Sequence, residues 1–546
     1  MKQVARNKGE ASRGRADDRS RAAPHVADGA RSCFVHLIDR TTDVSIADVV
    51  GHEIDSSGPV DDFTYLDIGS VDREKKIFAE PKLVPLVEAP SRAKQKVEAG
   101  DVLVSMTRPN LNAVAPVTQE LHGSIASTGF HVLRSPWLQP GFLYYLVQTD
   151  DFVDAMCGVV QGALYPAVRP RDIESFKFTL PPRAEQTRIV EKLEELLSDL
   201  DAGVAELKAA QRKLAQYRQS LLKAAVEGAL TADWRAAHMQ TGKPQETGTE
   251  LLQRILTERR TRWEASQLAK FAEQGKTPLK GWQAKYKEPE APVDTVGLMY
   301  PFGWVTTGFE QIADGLPHSL KAGPFGSALK KEFYVPSGYK IYGQEQVIRG
   351  DSSYGDYFIS VEKFEQLSSC EVKPGDVLIS LVGTTGKVLV LPDDAEPGII
   401  NPRLLKISVT RNHVDPHFVK VFLESPITRT FFKGESHGGT MEILNLGILK
   451  QLPIPLPPID EQKAIVEVLS AQLDELDSQD EAITRGLRFS VAQRKNILKA
   501  AFAGQLVPQD PNDEPASALL ERIRAERVSS TAKRSGKAGR NPRKKA

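Results

Sequence analysis

Residues 180–193 read LPPRAEQTRIVEKL, and residues 456–469 read LPPIDEQKAIVEVL. Nine of these fourteen positions are identical, at an offset of 276 residues. In each copy two prolines precede Glu-Gln and a stretch with apolar residues at helical spacing. Proline suits the first turn of a helix and breaks its interior, so the phrase predicts the start of a long helix, twice. After the first copy no proline recurs until Pro244, and Gly228 suits a C-terminal cap, which places that helix over about 183–228.

The match continues beyond the phrase. LLKAAVEGAL (221–230) aligns with ILKAAFAGQL (497–506) at the same offset and without a gap. Upstream, AGDVLVSM (99–106) faces PGDVLISL (374–381) at an offset of 275. Downstream, LLQRILTER (251–259) resembles LLERIRAER (519–527) at 268. A period this long is a tandem duplication of domains, not a stack of small repeats. Each copy is a mixed region followed by a long helix. Runs such as YLDIGSV, DVLVSM and FHVLRS in the first copy, and YKIYGQEQVI, DVLISLV and KVLVLP in the second, are β-rich and bounded by turn residues. The mixed regions are therefore expected to be α+β.

The expected order is a disordered polar segment (1–31), a first domain (32–180), a central coiled-coil helix (181–230) and a linker with a helical segment (231–299). A second domain (300–456), a C-terminal coiled-coil helix (457–506) and a segment with a basic, disordered tail (507–546) complete it.

Leu193, Leu200, Leu207, Leu214 and Leu221 recur every seven residues, with Ile189, Leu196, Ala210, Tyr217 and Ala224 filling the alternate seam, which is a coiled-coil pattern. The second helix repeats it less cleanly, with Leu469, Leu476, Ile483, Ser490 and Ile497. Acids cluster early in each helix (Glu191, Glu194, Asp199; Glu467, Asp474, Asp477) and bases late (Arg212, Lys213, Arg218; Arg488, Arg494, Lys495). This polarity suits the helix dipole, and it also favours antiparallel pairing, which sets acid beside base. Two similar domains at the N-terminal ends of two antiparallel helices would be related by an approximate two-fold. Reading the two halves of a split DNA site uses such an arrangement, because protein geometry then sets half-site spacing.

Bulk composition is compatible with this. With 40% hydrophobic and 26% charged residues the chain is an ordinary globular protein. Its 71 basic and 71 acidic residues give no overall basic footprint, although KRSGKAGRNPRKKA at the end is strongly basic. Cys33, Cys157 and Cys370 are too few and too scattered for a disulfide framework or a zinc site. No apolar run reaches the ~18 residues of a membrane span, and the N-terminus lacks the apolar core of a secretory signal, so a cytoplasmic protein is expected. GTTGKV (383–388) is not a phosphate loop, since Leu381 stands where the first glycine belongs and Val388 replaces Ser or Thr. NPR (401–403) lacks the second proline and the aromatic of an adenine-methylase loop. No catalytic, cofactor-binding or metal-binding residue is expected.

The doubled LPP-x-x-EQ phrase, the heptad helices and the doubled LLKAA-x-x-G-x-L resemble the specificity subunit of type I restriction–modification systems. GDVL in each half, SRAKQKV (91–97), GPFGSALK (323–330), LTADWR (230–235) and GQLVPQDPNDEPASALLERI (504–523) extend the resemblance over roughly residues 32–527. It implies two target-recognition domains, each reading half of a split sequence in double-stranded DNA. It also implies that paired helices fix the gap and bind two methyltransferase subunits, with motor–nuclease subunits joining for restriction. The specificity subunit itself would be non-catalytic. Two features depart from the pattern: an Arg-rich N-terminus without a counterpart in the second copy, and no opening before the first domain like YPFGWVTTGFEQIA (300–313). A self-contained restriction or modification enzyme, and a coiled-coil scaffold without DNA specificity, are the alternatives. The first lacks its motifs and the second leaves two large polar-looped domains unexplained.

Base edges are read by Arg, Lys, Asn, Gln, Ser and Thr, and phosphates are held by Lys and Arg. In the first copy the candidates are Arg92, Lys94 and Lys96 of SRAKQKV, and Thr107, Arg108, Asn110 and Asn112 of TRPNLN. In the second they are Lys321, Ser327, Lys330 and Lys331 of KAGPFGSALKK, and Gln344, Gln346 and Arg349 of YGQEQVIRG. Thr384, Thr385 and Lys387 of GTTGK follow the shared GDVL strand just as TRPNLN does.

Overall fold

The computed structural model describes residues 40–538 apart from 52–53, 161–165, 241–245, 279, 294–296, 298, 382–385 and 436–443, with side chains described up to 529. The expected N-terminal segment 1–31 and Cys33 lie outside the described residues, as does most of the basic tail. The chain divides into two compact units, residues 1–204 with 488–546, and residues 205–487.

In the first unit the strands are β1 (Thr42–Ser45), β2 (Phe63–Leu66), β3 (Val71–Asp72), β4 (Ile77–Phe78), β5 (Lys82–Val84), β6 (Ala93–Lys96), β7 (Val102–Ser105), β8 (Val114–Pro116), β9 (Ile125–Ser127), β10 (Phe130–Leu133) and β11 (Lys177–Leu180). They form a four-stranded sheet in the order β5-β2-β9-β6, a three-stranded sheet β10-β7-β8, and the pairs β3-β4 and β1-β11. Leu66, Leu103, Ala115, Ala126 and Phe130 close one core between the two larger sheets. Val102 and Val104, on the other face of β7, join a second core with Phe142, Leu146 and Phe152. A strand buried on both faces needs an unbroken apolar run, which is why DVLV does not alternate.

The second unit repeats this plan with β12 (Val305–Gly308), β13 (Leu320–Ala322), β14 (Tyr339–Tyr342), β15 (Phe358–Ile359), β16 (Glu371–Val372), β17 (Val377–Ser380), β18 (Val388–Val390), β19 (Gly398–Ile400), β20 (Leu404–Ile407) and β21 (Pro453–Leu456). Its sheets run β15-β14-β19-β16 and β13-β20-β17-β18, with β12 paired to β21. The parallel contact of β2 with β9 recurs between β14 and β19. The extra edge strand β13 is the main topological difference.

The first domain does have an opening equivalent to VTTGFEQI. TDVS forms β1, and Ile46–Val49 forms a short helix after it, as Phe309–Ile312 does after β12. Thr42 faces Leu180 in the β1–β11 ladder, and Val305 faces Leu456 in the β12–β21 ladder. The expected absence of this opening is thus corrected: what is shared is a backbone pairing, which four residues of differing sequence supply.

Two 44-residue helices, Arg183–Val226 and Ile459–Phe502, follow the two LPP phrases. Gly228 ends the first at φ +77, where an added Cβ would fall 2.5 Å from the ring of Pro301, so only glycine fits. Each phrase anchors its helix through the glutamine. Gln186 donates to the Pro181 carbonyl (2.9 Å) and accepts from the Gln139 amide (3.0 Å). Gln462 donates to Pro457 (2.9 Å) and accepts from the Asp415 amide (2.8 Å).

Within each unit the two helices run antiparallel, and acid meets base as the charge polarity requires. In the second unit Leu207 lies against Gly486, Gln211 donates to Asp480 (3.1 Å) and Arg218 pairs with Asp477. In the first unit Asp201 pairs with Arg494, and Leu193 and Leu197 share a core with Ile497 and Leu498. The seam is tightest near the domains: Leu193, Leu197, Leu221, Leu222 and Ala225 are buried, whereas Leu207 and Leu214 are half-buried. Tyr217 is 52% exposed and so does not belong to the seam. An α-helix drifts by about 20° per heptad against a strict seven-residue repeat, and the buried stripe drifts with it.

The segment after each long helix also has a defined seat. In the second unit the helix Gly248–Glu273 buries Leu251 and Ile255 against Phe309 and Ile312. In the first unit the helix Ala516–Ala538 buries Leu519 and Ile523 in the core that holds Ile46 and Val49. These are the residues that the 268-residue offset superimposes. The glutamate of each phrase is buried. Glu461 accepts from Thr231 (2.8 Å), from Trp304 (2.8 Å) and from Arg235. Glu185 has Gln509 and Arg188 beside it, and burial raises its carboxyl above the usual range.

Among the described residues no helix is long and apolar enough to cross a membrane, and no group of His, Cys, Asp and Glu could hold a metal ion. Cys157 and Cys370 are free.

Candidate nucleic-acid interface

In the first unit the chain leaves β7 through Thr107 and Arg108, makes one 3-10 turn over Pro109–Leu111, and enters β8 after Asn112. Arg108 (φ 49) and Asn112 (φ 42) both adopt the left-handed conformation. Non-glycine residues there cost on the order of 1–3 kcal/mol each and persist only where the surroundings over-determine them. Here three contacts do so. The Arg108 amide donates to the Pro166 carbonyl (2.8 Å), Val168 donates to Met106 (2.8 Å), and the Lys76 ammonium donates to the Asn112 carbonyl (2.5 Å). Burial, with Arg494 and Arg73 nearby, pushes the Lys76 amine down to about 8. Thr107, Arg108 and Asn110 are exposed on this rigid loop, and Asn112 is half-buried.

The turn between β9 and β10 sits beside the loop. Gly129 accepts from the Met106 amide (2.9 Å), and Thr128 donates to the Arg92 carbonyl (2.9 Å). Arg92 and the TRPNLN loop are therefore brought to one turn, with Thr128 exposed between them. Lys94 and Lys96 are exposed but lead away along β6, where the Lys96 amide donates to Asp55 (2.8 Å).

In the second unit the equivalent loop joins β17 to β18. Thr384 and Thr385 lie outside the described residues, and Lys387 is exposed. The turn beside it is NPR, between β19 and β20, whose Arg403 carbonyl accepts from the Leu381 amide (2.9 Å) just as Gly129 accepts from Met106. The GPFG turn closes on the same place: a Cβ on Gly323 would fall 1.8 Å from the Asn401 carbonyl oxygen, so no side chain fits. Gln344 reaches Ser380 (2.7 Å) and Arg403 (3.3 Å). Lys321 is half-buried on β13, Ser327 and Lys331 are exposed, and exposed Lys330 pairs with Glu332 at 3.5 Å. Arg349 lies over the Tyr354 ring at 4.1 Å, away from the NPR contacts.

Gln346 is corrected as a candidate base reader. It is 2% exposed, accepts from the Gly343 amide (2.9 Å) and donates to the Tyr354 carbonyl (2.9 Å), so its amide closes a turn. Thr128 and Arg403, which the sequence reading does not single out, stand in the turns that precede β10 and β20, the strands that pair with GDVL. Phe325, likewise not singled out, is 90% exposed in the GPFG turn.

The paired units have known counterparts. Residues 88–209 and 325–484, just over half of the chain, match the model of the type I restriction modification DNA specificity domain. The specificity subunit of the type I restriction enzyme EcoBI of Escherichia coli is 24% identical over 376 residues, covering 67% of this chain and 68% of that one. The EcoKI specificity subunit of Escherichia coli strain K12 is 22% identical over 490 residues, covering 86% and 88%. A chain from a solved structure concerned with complex assembly and conformational transition of the type I restriction–modification system has the same fold. It superimposes with a TM-score of 0.63 at 21% identity, over 85% of this chain and 98% of that one. With the domain model matched twice, once on each copy of the repeat, the chain belongs to the type I restriction–modification DNA specificity family.

Proposed function

We propose that this chain is the non-catalytic specificity subunit of a type I restriction–modification complex. Each α+β domain reads one half of a split target in double-stranded DNA. The antiparallel helices set the gap between the halves and carry two methyltransferase subunits. Motor–nuclease subunits join that assembly for restriction. In the first domain the reading set is Thr107, Arg108, Asn110 and Asn112, with Arg92, Lys94 and Lys96 on phosphates. In the second it is the β17–β18 loop with Thr384, Thr385 and Lys387, with Lys321, Ser327, Lys330, Lys331, Gln344 and Arg349 as further DNA contacts.

The observation that carries this reading is a shared frame with unshared contents. Met106 to Gly129 and Leu381 to Arg403 are the same backbone contact, and the residues displayed around it differ completely. A duplicated scaffold that keeps its frame and varies its loops suits two readers of different sequences. Sequencing base methylation in cells with and without the chain tests it. A split motif that vanishes with the chain supports the reading, and a methylome indifferent to the chain removes it.

A further inference from the structure

The NPR turn holds a side chain that the repeat does not supply in the first domain. Ser380, fully buried at the end of β17, takes a hydrogen bond from the Gln344 amide nitrogen at 2.7 Å. The Gln344 oxygen in turn accepts from Nη1 of Arg403 at 3.3 Å. The Arg403 backbone is tied on both sides, its amide donating to Asn401 Oδ1 (2.9 Å) and its carbonyl accepting from Leu381 (2.9 Å). A chain of contacts thus runs from the core to an exposed guanidinium. A guanidinium carries five N–H groups in a planar fork, and one of Arg403's is used on Gln344. An oriented fork suits bidentate recognition of the two acceptors of guanine. The register partner of Arg403 in the first domain is Gly129, which has no side chain to offer.

We propose that Arg403 reads a base edge in the half-site of the second domain, and that Gln344 is its positioning residue. This rests on the reading of both domains as DNA-recognition domains. It moves Gln344 from reader to support, and it gives the two domains different principal arginines, Arg108 from a strained loop and Arg403 from a strand turn.

The test uses the full chain expressed with its methyltransferase partner, with the modified motif read by single-molecule sequencing. In Arg403→Ala, one position of one half-site loses discrimination by roughly 10- to 100-fold, while the other half-site and the gap are unchanged. Arg403→Lys does not restore that position, because an ammonium lacks the fork. Gln344→Ala relaxes the same position. A uniform fall in methylation with the motif intact would make Arg403 a phosphate anchor and overturn the proposal, as would no change at all. The unaltered half-site shows that each variant is folded. Failure of the unaltered chain to give any split motif would remove the DNA-recognition reading itself, a result distinguishable from failure of the variants.

Discussion

Trp137 donates its indole N–H to Glu526 at 2.6 Å, fastening the helix Ala516–Ala538 to the first domain, with Arg527 stacked on the same ring. The repeat offsets of 276 and 268 map this pair onto His413 and Glu258, which approach at 3.3 Å in the second unit. One latch is an indole and the other an imidazole, on the same two positions. Trp137→Phe keeps an aromatic ring and removes the donor, at a cost of about 1 kcal/mol. Hydrogen exchange over residues 516–529 should rise about five-fold, with no change over 248–273.

The two phrase glutamates should respond in opposite ways. Glu461 is buried with three donors, Arg235 among them, so Glu461→Gln leaves the half-buried Arg235 guanidinium without its counter-charge and costs about 3 kcal/mol in unfolding experiments.

Glu185→Gln should stabilise the chain at neutral pH. Burial raises the Glu185 carboxyl above its unfolded value, so the folded state holds the proton more tightly. That stabilising contribution is complete below the unfolded pKa and is lost as pH rises through the folded one. The advantage of the variant is therefore largest at pH 7 and shrinks toward pH 4, which denaturant titrations at the two pH values would measure.

Arg108→Ala should weaken binding to the complete bipartite site by roughly 10- to 100-fold and leave the preferred gap unchanged. Lys76→Met should produce a smaller loss of the same kind, since its ammonium holds the Asn112 end of the loop. Fluorescence anisotropy on oligonucleotides of varied gap length, at one fixed salt concentration, checks both.

Much of the architecture was legible because it is written in periodic signals. The repeat placed both long helices, and the charge polarity gave their direction, since Asp201 beside Arg494 and Asp477 beside Arg218 follow from it. What could not be read depends on contacts distant in the chain. Thr42–Ser45 is an opening strand only because Leu180 lies opposite Thr42. Gln346 has the residue type of a base reader, but its amide is spent on backbone 341–354. Arg403 lies in NPR, a string whose residues carry no local sign of base reading, and strand register alone sets it beside Gln344.

If the two domains read and the helices measure, shortening both helices shortens the gap. Residues 207–213 and 480–486 face one another, so one heptad can be excised from both helices together. At 1.5 Å per residue this removes about 10 Å of helix. Methylation sequencing of cells carrying the shortened chain should then return the same two half-sites with a shorter gap between them. An unchanged gap, with both half-sites retained, would contradict the account.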